Sequence, residues 1–287
     1  MADDVQSDVA SQAKIKGRKD MTKNILITGA TDGIGLETAK TLAAQGHNLL
    51  IHGRNAAKLS DVEKTLSAVS NVGTVESFVA ELTDLNDVAE MANAVKRHCS
   101  KLDVLLNNAG VFRMADPITK DNMDARFVVN TISPYLLTQA LLPIMDASSR
   151  IVNLSSAAQA PVNLDALLGK VKLSDEFEAY AQSKLAITMW TRALANQWGD
   201  NGPMIVAVNP GSMLASKMVK EGFGMAGNDL SIGVDILVRA ALSEEFADAS
   251  GKYFDNDARR FAQPHTEGLN DQKSLEVIKA VESVIGA

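Results

Sequence analysis

Two hydrophobic periods take turns along this chain. Asn24-Ile25-Leu26-Ile27-Thr28 is a short apolar run that stops at Gly29, and it predicts a buried parallel strand. From Gly33 the spacing changes. Ile34, Thr38, Leu42 and Ala43 share one helical face, and Gly46 ends the helix. The exchange then repeats: the pattern predicts strands over 48–52, 75–80, 102–106, 150–154, 204–208 and 252–254. Between them it predicts helices over 56–69, 84–99, 119–145, 175–198 and 231–245, with a last helix over 272–285.

Strict alternation of strand and helix implies right-handed crossovers and a mostly parallel sheet with helices on both faces. The expected architecture is α/β: a single-domain, doubly wound Rossmann fold with about seven parallel strands. No linker rich in Gly, Pro or Ser interrupts it, so residues 21–287 are read as one Rossmann-type catalytic domain. Residues 1–20 are polar and lack an apolar core segment. They read as a flexible extension and not as a secretory signal. No apolar run reads as long enough to span a bilayer, so no integral membrane segment is expected.

In such a sheet, ligands bind at the carboxyl ends of the strands. Small and polar residues collect there: Thr28-Gly29, His52-Gly53-Arg54, Asn107 to Gly110, Ser155-Ser156 and Asn209-Pro210-Gly211. Gly29, Gly33 and Gly35 form a G-x-x-x-G-x-G loop between the first strand and the first helix. Glycines let backbone approach a pyrophosphate, and the helix N-terminus offers free N–H groups and a positive dipole end. A purely structural turn is the competing reading. The position after the first strand favours a nucleotide.

Composition narrows the classes. The formal charge is −7, and acidic and basic residues are interspersed. No Lys/Arg cluster with interleaved aromatics suggests a nucleic-acid surface. The one cysteine, Cys99, excludes an intrachain disulfide and fits a reducing, cytoplasmic setting. His47, His52, His98 and His265 have no metal-like spacing, so no metal is expected.

Thr28 to Gly35, Asn107-Asn-Ala-Gly110, Asn130, Ser156, Tyr180-Ala-Gln-Ser-Lys184 and Asn209-Pro-Gly211 occur in that order. Together they resemble the ordered motifs of the classical short-chain dehydrogenases/reductases. The resemblance runs from about residue 24 to residue 254. The gap of twenty-four residues between Ser156 and Tyr180, and the stretch from Val128 to Thr138, resemble the branch of retinol-dehydrogenase-like and WW-domain-oxidoreductase-like proteins.

The resemblance implies that Ser156, Tyr180, Lys184 and Asn130 are catalytic. Tyr180 and Lys184 stand at i and i+4, hence on one helical face. A free tyrosine titrates near 10. A nearby ammonium, helped by an oxidised nicotinamide, would favour phenolate, so Tyr180 could exchange a proton with an alcohol or carbonyl. Ser156 would bind the substrate oxygen, and Asn130 would hold a water linking Lys184 to solvent. Around Ser156 there is no Gly-x-Ser-x-Gly elbow, which argues against a hydrolytic nucleophile.

For the cofactor, the resemblance implies contacts from Gly29, Thr31, Asp32, Gly33, Ile34, Gly35, Glu81, Leu82, Asn107, Ala109, Gly110, Tyr180, Lys184, Pro210, Gly211 and Met213. Gly53 stands where NAD-specific sites carry an acid, and Arg54 follows with a guanidinium able to pair with a 2′-phosphate. NADP(H) is therefore expected, with Asp32 as the one charge working against it. The chain departs from the pattern at Ser133-Pro134, which replaces a Gly-containing pair. It departs again at Ala215, where Thr is common, and at Glu81, where Asp is typical.

The mostly apolar set Val111, Phe112, Ala158, Met213, Leu214, Met218 and Phe223 points to a hydrophobic ketone, aldehyde or secondary alcohol as substrate. The adaptable methionines Met213, Met218 and Met225 would belong to a substrate lid. Ile187, Trp190 and Leu194 have the spacing of a buried stripe, which fits either protomer core or a homodimer or homotetramer interface. Two other functions stay open: a non-catalytic NADP(H)-binding regulatory protein, and a related lyase or epimerase.

Overall fold

A computed structural model describes residues 22–215 and 227–286. The expected extension over 1–20, and the lid positions Met218, Phe223 and Met225, lie outside the described residues. Eight strands form one sheet: β1 (Asn24–Ile27), β2 (Asn48–Gly53), β3 (Val75–Val79), β4 (Val104–Asn107), β5 (Arg150–Leu154), β6 (Met204–Asn209), β7 (Tyr253–Asp255) and β8 (Arg260–Ala262). Their order is β3-β2-β1-β4-β5-β6-β7-β8. Strands β1 to β7 are parallel, as the alternation predicts, and β8 returns antiparallel along β7. This eighth strand was not expected, because its three residues, Arg-Phe-Ala, carry no readable period.

The helices are α1 (Gly33–Ala44), α2 (Ala56–Ser67), α3 (Leu85–His98), α4 (Ala125–Phe127), α5 (Ser133–Leu141), α6 (Leu164–Leu167), α7 (Glu176–Trp198), α8 (Leu230–Leu242) and α9 (Asp271–Ile285). Each strand feeds two separate cores by its two-residue period. Ile25, Ile27, Leu49, Ile51, Leu106 and Val206 pack with α1 and α8 on one face. Leu26, Leu50, Leu105, Ile151 and Ile205 pack with α3, α7 and α9 on the other. The order turns back between β1 and β4, and the carboxyl ends of those strands carry the glycine loop and Asn107 to Gly110.

The helix expected over 119–145 is shorter and broken. It begins at Ala125, widens to a π-turn over Val128–Ile132, and resumes as α5 with Pro134 in its first turn. Pro134 has no N–H to offer the carbonyl of Asn130, four residues back, so the bulge falls where the α-helical ladder must fail. The segment Ala125–Ile144 is long and apolar enough to cross a membrane by length and composition, which corrects the earlier reading of the sequence. Two-thirds of it is buried inside the domain, as in a core helix.

The stripe of Ile187, Trp190 and Leu194, which fits core or interface by spacing, lies in the core. Ile187, Trp190 and Leu194 are each no more than 1% exposed, and α9 packs across α7 with Val277, Ile278 and Val281 in the same cluster. That stripe is therefore used up within the protomer.

Candidate active site

The glycine loop is held from below by β4. Thr28 Oγ1 accepts the N–H groups of Asn108 and Ala109, both at 3.0 Å. Asn108 Nδ2 donates to the carbonyls of Thr28 at 2.7 Å and Gly29 at 3.1 Å. The packing leaves no room for a side chain. A Cβ on Gly35 would lie 2.3 Å from the Gly29 carbonyl oxygen and 2.4 Å from Asn108 Nδ2. Gly29 itself has φ +67°, which L side chains rarely adopt. Asp32 proves to be the N-cap of α1: its carboxylate accepts Gly33 N–H at 2.8 Å. The N–H groups of Ile34 and Gly35 stand in the first helical turn, where no intrahelical partner exists. These features fit a bound pyrophosphate.

His52, buried at the end of β2, ties this loop to β3. Its Nδ1 accepts Gly29 N–H at 3.2 Å, and its Nε2 sits 3.1 Å from the Ala80 carbonyl. That pattern requires the neutral ring with the proton on Nε2. Burial lowers the His52 pKa, against smaller upward contributions from the Ala80 carbonyl and the Glu81 carboxylate. The unfolded chain therefore binds a proton near pH 6.5 that the folded chain refuses. Folding stability must fall as pH drops below about 6.5, by up to about 1.4 kcal/mol per unit for this group. Urea unfolding at pH 7.5 and pH 5.5 checks it: the loss should shrink in His52→Gln. An undiminished loss would assign the effect to other groups, His47 first, since burial lowers it too.

At the adenosine end, a Cβ on Gly53 would meet Thr31 Cγ2 at 2.5 Å, so Thr31 helps to exclude an acid there. Arg54 projects with its side chain 70% exposed, 4.0 Å from Glu81. The side chains of Leu82 and Asn107 turn into the protein, which leaves their expected cofactor contacts to the main chain. Leu82 is buried in the core, and its carbonyl accepts the Ser133 hydroxyl at 2.6 Å. Asn107 turns inward and donates to Asn153 Oδ1 at 2.8 Å, clipping β4 to β5. Ala109 and Gly110 stay partly exposed at the strand end.

The Asn130 side chain is taken up by protein partners. Its Oδ1 accepts Val111 N–H at 2.8 Å, while Nδ2 donates to the Val111 carbonyl and to Ser183 Oγ, both at 3.0 Å. The side chain is fully used in fixing the β4 loop against α7. Only its main-chain carbonyl, freed of an i+4 N–H by Pro134, is left for a water.

Ser156, Tyr180 and Lys184 do meet. Ser155 is buried, bonded to the Lys184 carbonyl at 3.0 Å and to Thr188 Oγ1 at 2.7 Å, which leaves Ser156 as the exposed member of the pair. Ser156 Oγ accepts Ala158 N–H at 3.1 Å, and its proton is within reach of the Tyr180 oxygen. Gln159 Nε2 and the Tyr253 hydroxyl both donate to the Ser156 carbonyl, at 3.0 and 3.1 Å. Lys184 Nζ donates to the Leu154 carbonyl at 2.8 Å and lies 5.7 Å from the Tyr180 ring centre. Burial pushes the Lys184 pKa down to about 7 and the Tyr180 pKa up, the latter eased by Ser156. The expected bias toward phenolate was tied to a nearby ammonium together with an oxidised nicotinamide; without the cofactor, burial dominates at Tyr180. Protein groups hold Tyr180 as a neutral phenol, the form that donates a proton.

Phe112 stacks on Tyr180 at 5.0 Å between ring centres and meets Phe177 at 6.2 Å. Beside them a cavity of about 440 Å³ opens between Phe112, Arg113 and the start of α7. Across the site, Met213 has φ +55°, and its stretch exchanges backbone bonds with Asn228. Asn228 N donates to the Met213 carbonyl at 2.6 Å, and Ala215 N donates to the Asn228 carbonyl at 2.7 Å. The Pro210 carbonyl accepts Asn256 Nδ2 at 2.9 Å, and Gly211 takes φ +120°.

The supporting residues His52, Thr28, Asn108, Ser155, Thr188, Gln159 and Tyr253 were not singled out as functional from the sequence. Their signal is a polar side chain at a strand end or along α7, which reads the same whether it holds a loop or merely faces solvent.

Comparison with known proteins agrees with this geometry. The family model described as short chain dehydrogenase matches residues 23–225. Human retinol dehydrogenase 13 is 31% identical over 275 residues, which span 90% of this chain and 82% of that protein. Human WW domain-containing oxidoreductase is 27% identical, over 91% of this chain and 68% of that one. Among solved structures, a short chain dehydrogenase from Shigella flexneri complexed with NADP aligns with TM-score 0.64 and 25% identity, over 82% of this chain and 97% of that chain. A Mycobacterium paratuberculosis protein aligns with TM-score 0.71 at 23% identity, over 94% of this chain and 97% of that chain.

Proposed function

Because this chain belongs to the short-chain dehydrogenase family, we propose that it reduces hydrophobic ketones or aldehydes with NADPH, Tyr180 giving the proton. The observation that carries the reading is the meeting of Ser156, Tyr180 and Lys184 at one strand end, with the phenol kept neutral by burial. A bound NADPH would supply a hydride to the carbonyl carbon. Ser156 would hold the carbonyl oxygen, and Tyr180 would protonate it. Lys184 would hold the nicotinamide ribose and deliver charge beside the phenolate left behind. The glycine loop would hold the pyrophosphate and Arg54 the 2′-phosphate.

Three features support NADP(H) over NAD(H): Gly53 in the acid's place, Thr31 filling the space, and the projecting Arg54. The apolar Val111, Phe112 and Leu214 favour a hydrophobic substrate, as the retinol dehydrogenase relatives do. The lone Cys99 accords with a cytoplasmic location. The experiment is a turnover panel of retinal, aryl ketones, aliphatic aldehydes and small charged carbonyls, each with NADPH and NADH. NADPH should be favoured at least tenfold in kcat/KM. Arg54→Ala should raise KM for NADPH about tenfold and leave NADH unchanged, since one charge-assisted contact is worth roughly 1.5–3 kcal/mol. Equal efficiency with both cofactors, or preference for the charged carbonyls, would overturn the reading.

A further inference from the structure

Behind the catalytic serine loop lies a second cavity, of about 680 Å³, between α7, the β7–β8 hairpin and the turn over Thr266–Leu269. Its twelve lining residues include three cations and no carboxylate, in a chain of net charge −7. Several surface cations elsewhere find acids, as Lys101 does with Asp146, Lys120 with Asp84, Lys170 with Asp165, Arg239 with Glu245 and Lys273 with Glu267. Here the compensation is poor. Arg192 shares Asp271 at 3.3 Å, and Lys252 faces only the Phe261 ring at 5.4 Å. Arg260 has no acidic partner within 4.0 Å among the described residues. Apolar surface from Phe261, Ala262, Pro264 and Leu269 completes the walls.

We propose that this cavity binds an amphiphilic carboxylate, its head group on Lys252 and Arg260 and its apolar body along Phe261, Pro264 and Leu269. A guanidinium fork pairs a carboxylate in two parallel bonds, and the ammonium adds a point charge. The apolar wall gains by covering an alkyl or aryl chain. The cavity shares no lining residue with the one beside Tyr180, and it touches the Ser155-Ser156 turn through two of its walls. Tyr253 bonds the Ser156 carbonyl, and Thr188 bonds Ser155.

Calorimetric titration of the full chain with decanoate tests the inference without any turnover. Decanoate should bind with a Kd of about 100 µM or tighter, and decanol and inorganic phosphate at least about tenfold more weakly. The double variant Lys252→Gln/Arg260→Gln changes two exposed side chains and should weaken decanoate about tenfold or more. Saturating NADPH and the Tyr180→Phe change should each leave the affinity within twofold, which separates this site from the substrate cleft. Equal binding to wild type and double variant, or equal binding of decanol, would overturn the proposal. So would phosphate binding as tightly as decanoate, or competition by NADPH.

Discussion

Tyr180→Phe is expected to lower kcat at least about 10³-fold while NADPH still binds with near wild-type affinity. The loss corresponds to roughly 4 kcal/mol of transition-state stabilisation. The substitution removes one oxygen and keeps the ring, so the stacking with Phe112 and the packing of α7 persist. What disappears is the half-buried phenol hydroxyl that Ser156 addresses, the proton donor of the proposed reduction. Lys184 Nζ is directed to the Leu154 carbonyl and lies 5.7 Å from the centre of the Tyr180 ring, so it stands beside the proton donor only as a neighbour. Stopped-flow reduction of a good substrate, with cofactor fluorescence titration beside it, checks both halves. Turnover within a few-fold of wild type would remove Tyr180 from the mechanism, and a matching loss of NADPH affinity would make it a binding residue.

The second large effect concerns folding. Arg126→Ala should destabilise the protein by about 3–5 kcal/mol in denaturant unfolding, because it strands a buried carboxylate. Arg126 and Asp124 are almost fully buried and pair through two hydrogen bonds, Nε to Oδ1 at 2.8 Å and Nη2 to Oδ2 at 2.6 Å. Asp124 also caps α4, and Arg126 Nη1 reaches the Glu176 carbonyl at the start of α7. The pair therefore joins the helix of Asn130 to the helix of Tyr180. Removing both charges with Asp124→Leu/Arg126→Met should recover much of the loss, since the cost lies in the unpaired charge more than in the missing pair. A loss under about 1 kcal/mol in Arg126→Ala would mean that water reaches Asp124.

Neither member of that pair stood out in the sequence, where both fall inside the helix predicted over 119–145. The strands and the larger helices were legible because the central strands bury both faces, which leaves short apolar runs between turn residues. Strand β8 and helix α6 were not, being three and four residues long and held by contacts distant in sequence. The glycine loop, Ser156, Tyr180 and Lys184 were legible through spacing and resemblance. The turning of Asn107 and Asn130 into the interior was not, since an asparagine at a strand end or in a helix carries no mark of which partner its amide will find. The broken helix was half legible: Pro134 announced a missing hydrogen bond, but not that a wider turn would absorb it.

The backbone clasp between Met213–Ala215 and Asn228 gives the substrate side of this enzyme the character of a socket. Both ends of the segment between them are fastened to one point of the scaffold by two hydrogen bonds, and Gly227 takes φ +77° to fit beside Ala215. The chain leaves the scaffold after Ala215 and rejoins it at Gly227 in the same place, so neither anchor has to move when the sequence between them is changed. Residues 216–226 should therefore behave as an exchangeable cassette. A segment transplanted from a relative between Ala215 and Gly227 should carry its donor's substrate preference with it and leave the melting temperature of the recipient almost unmoved.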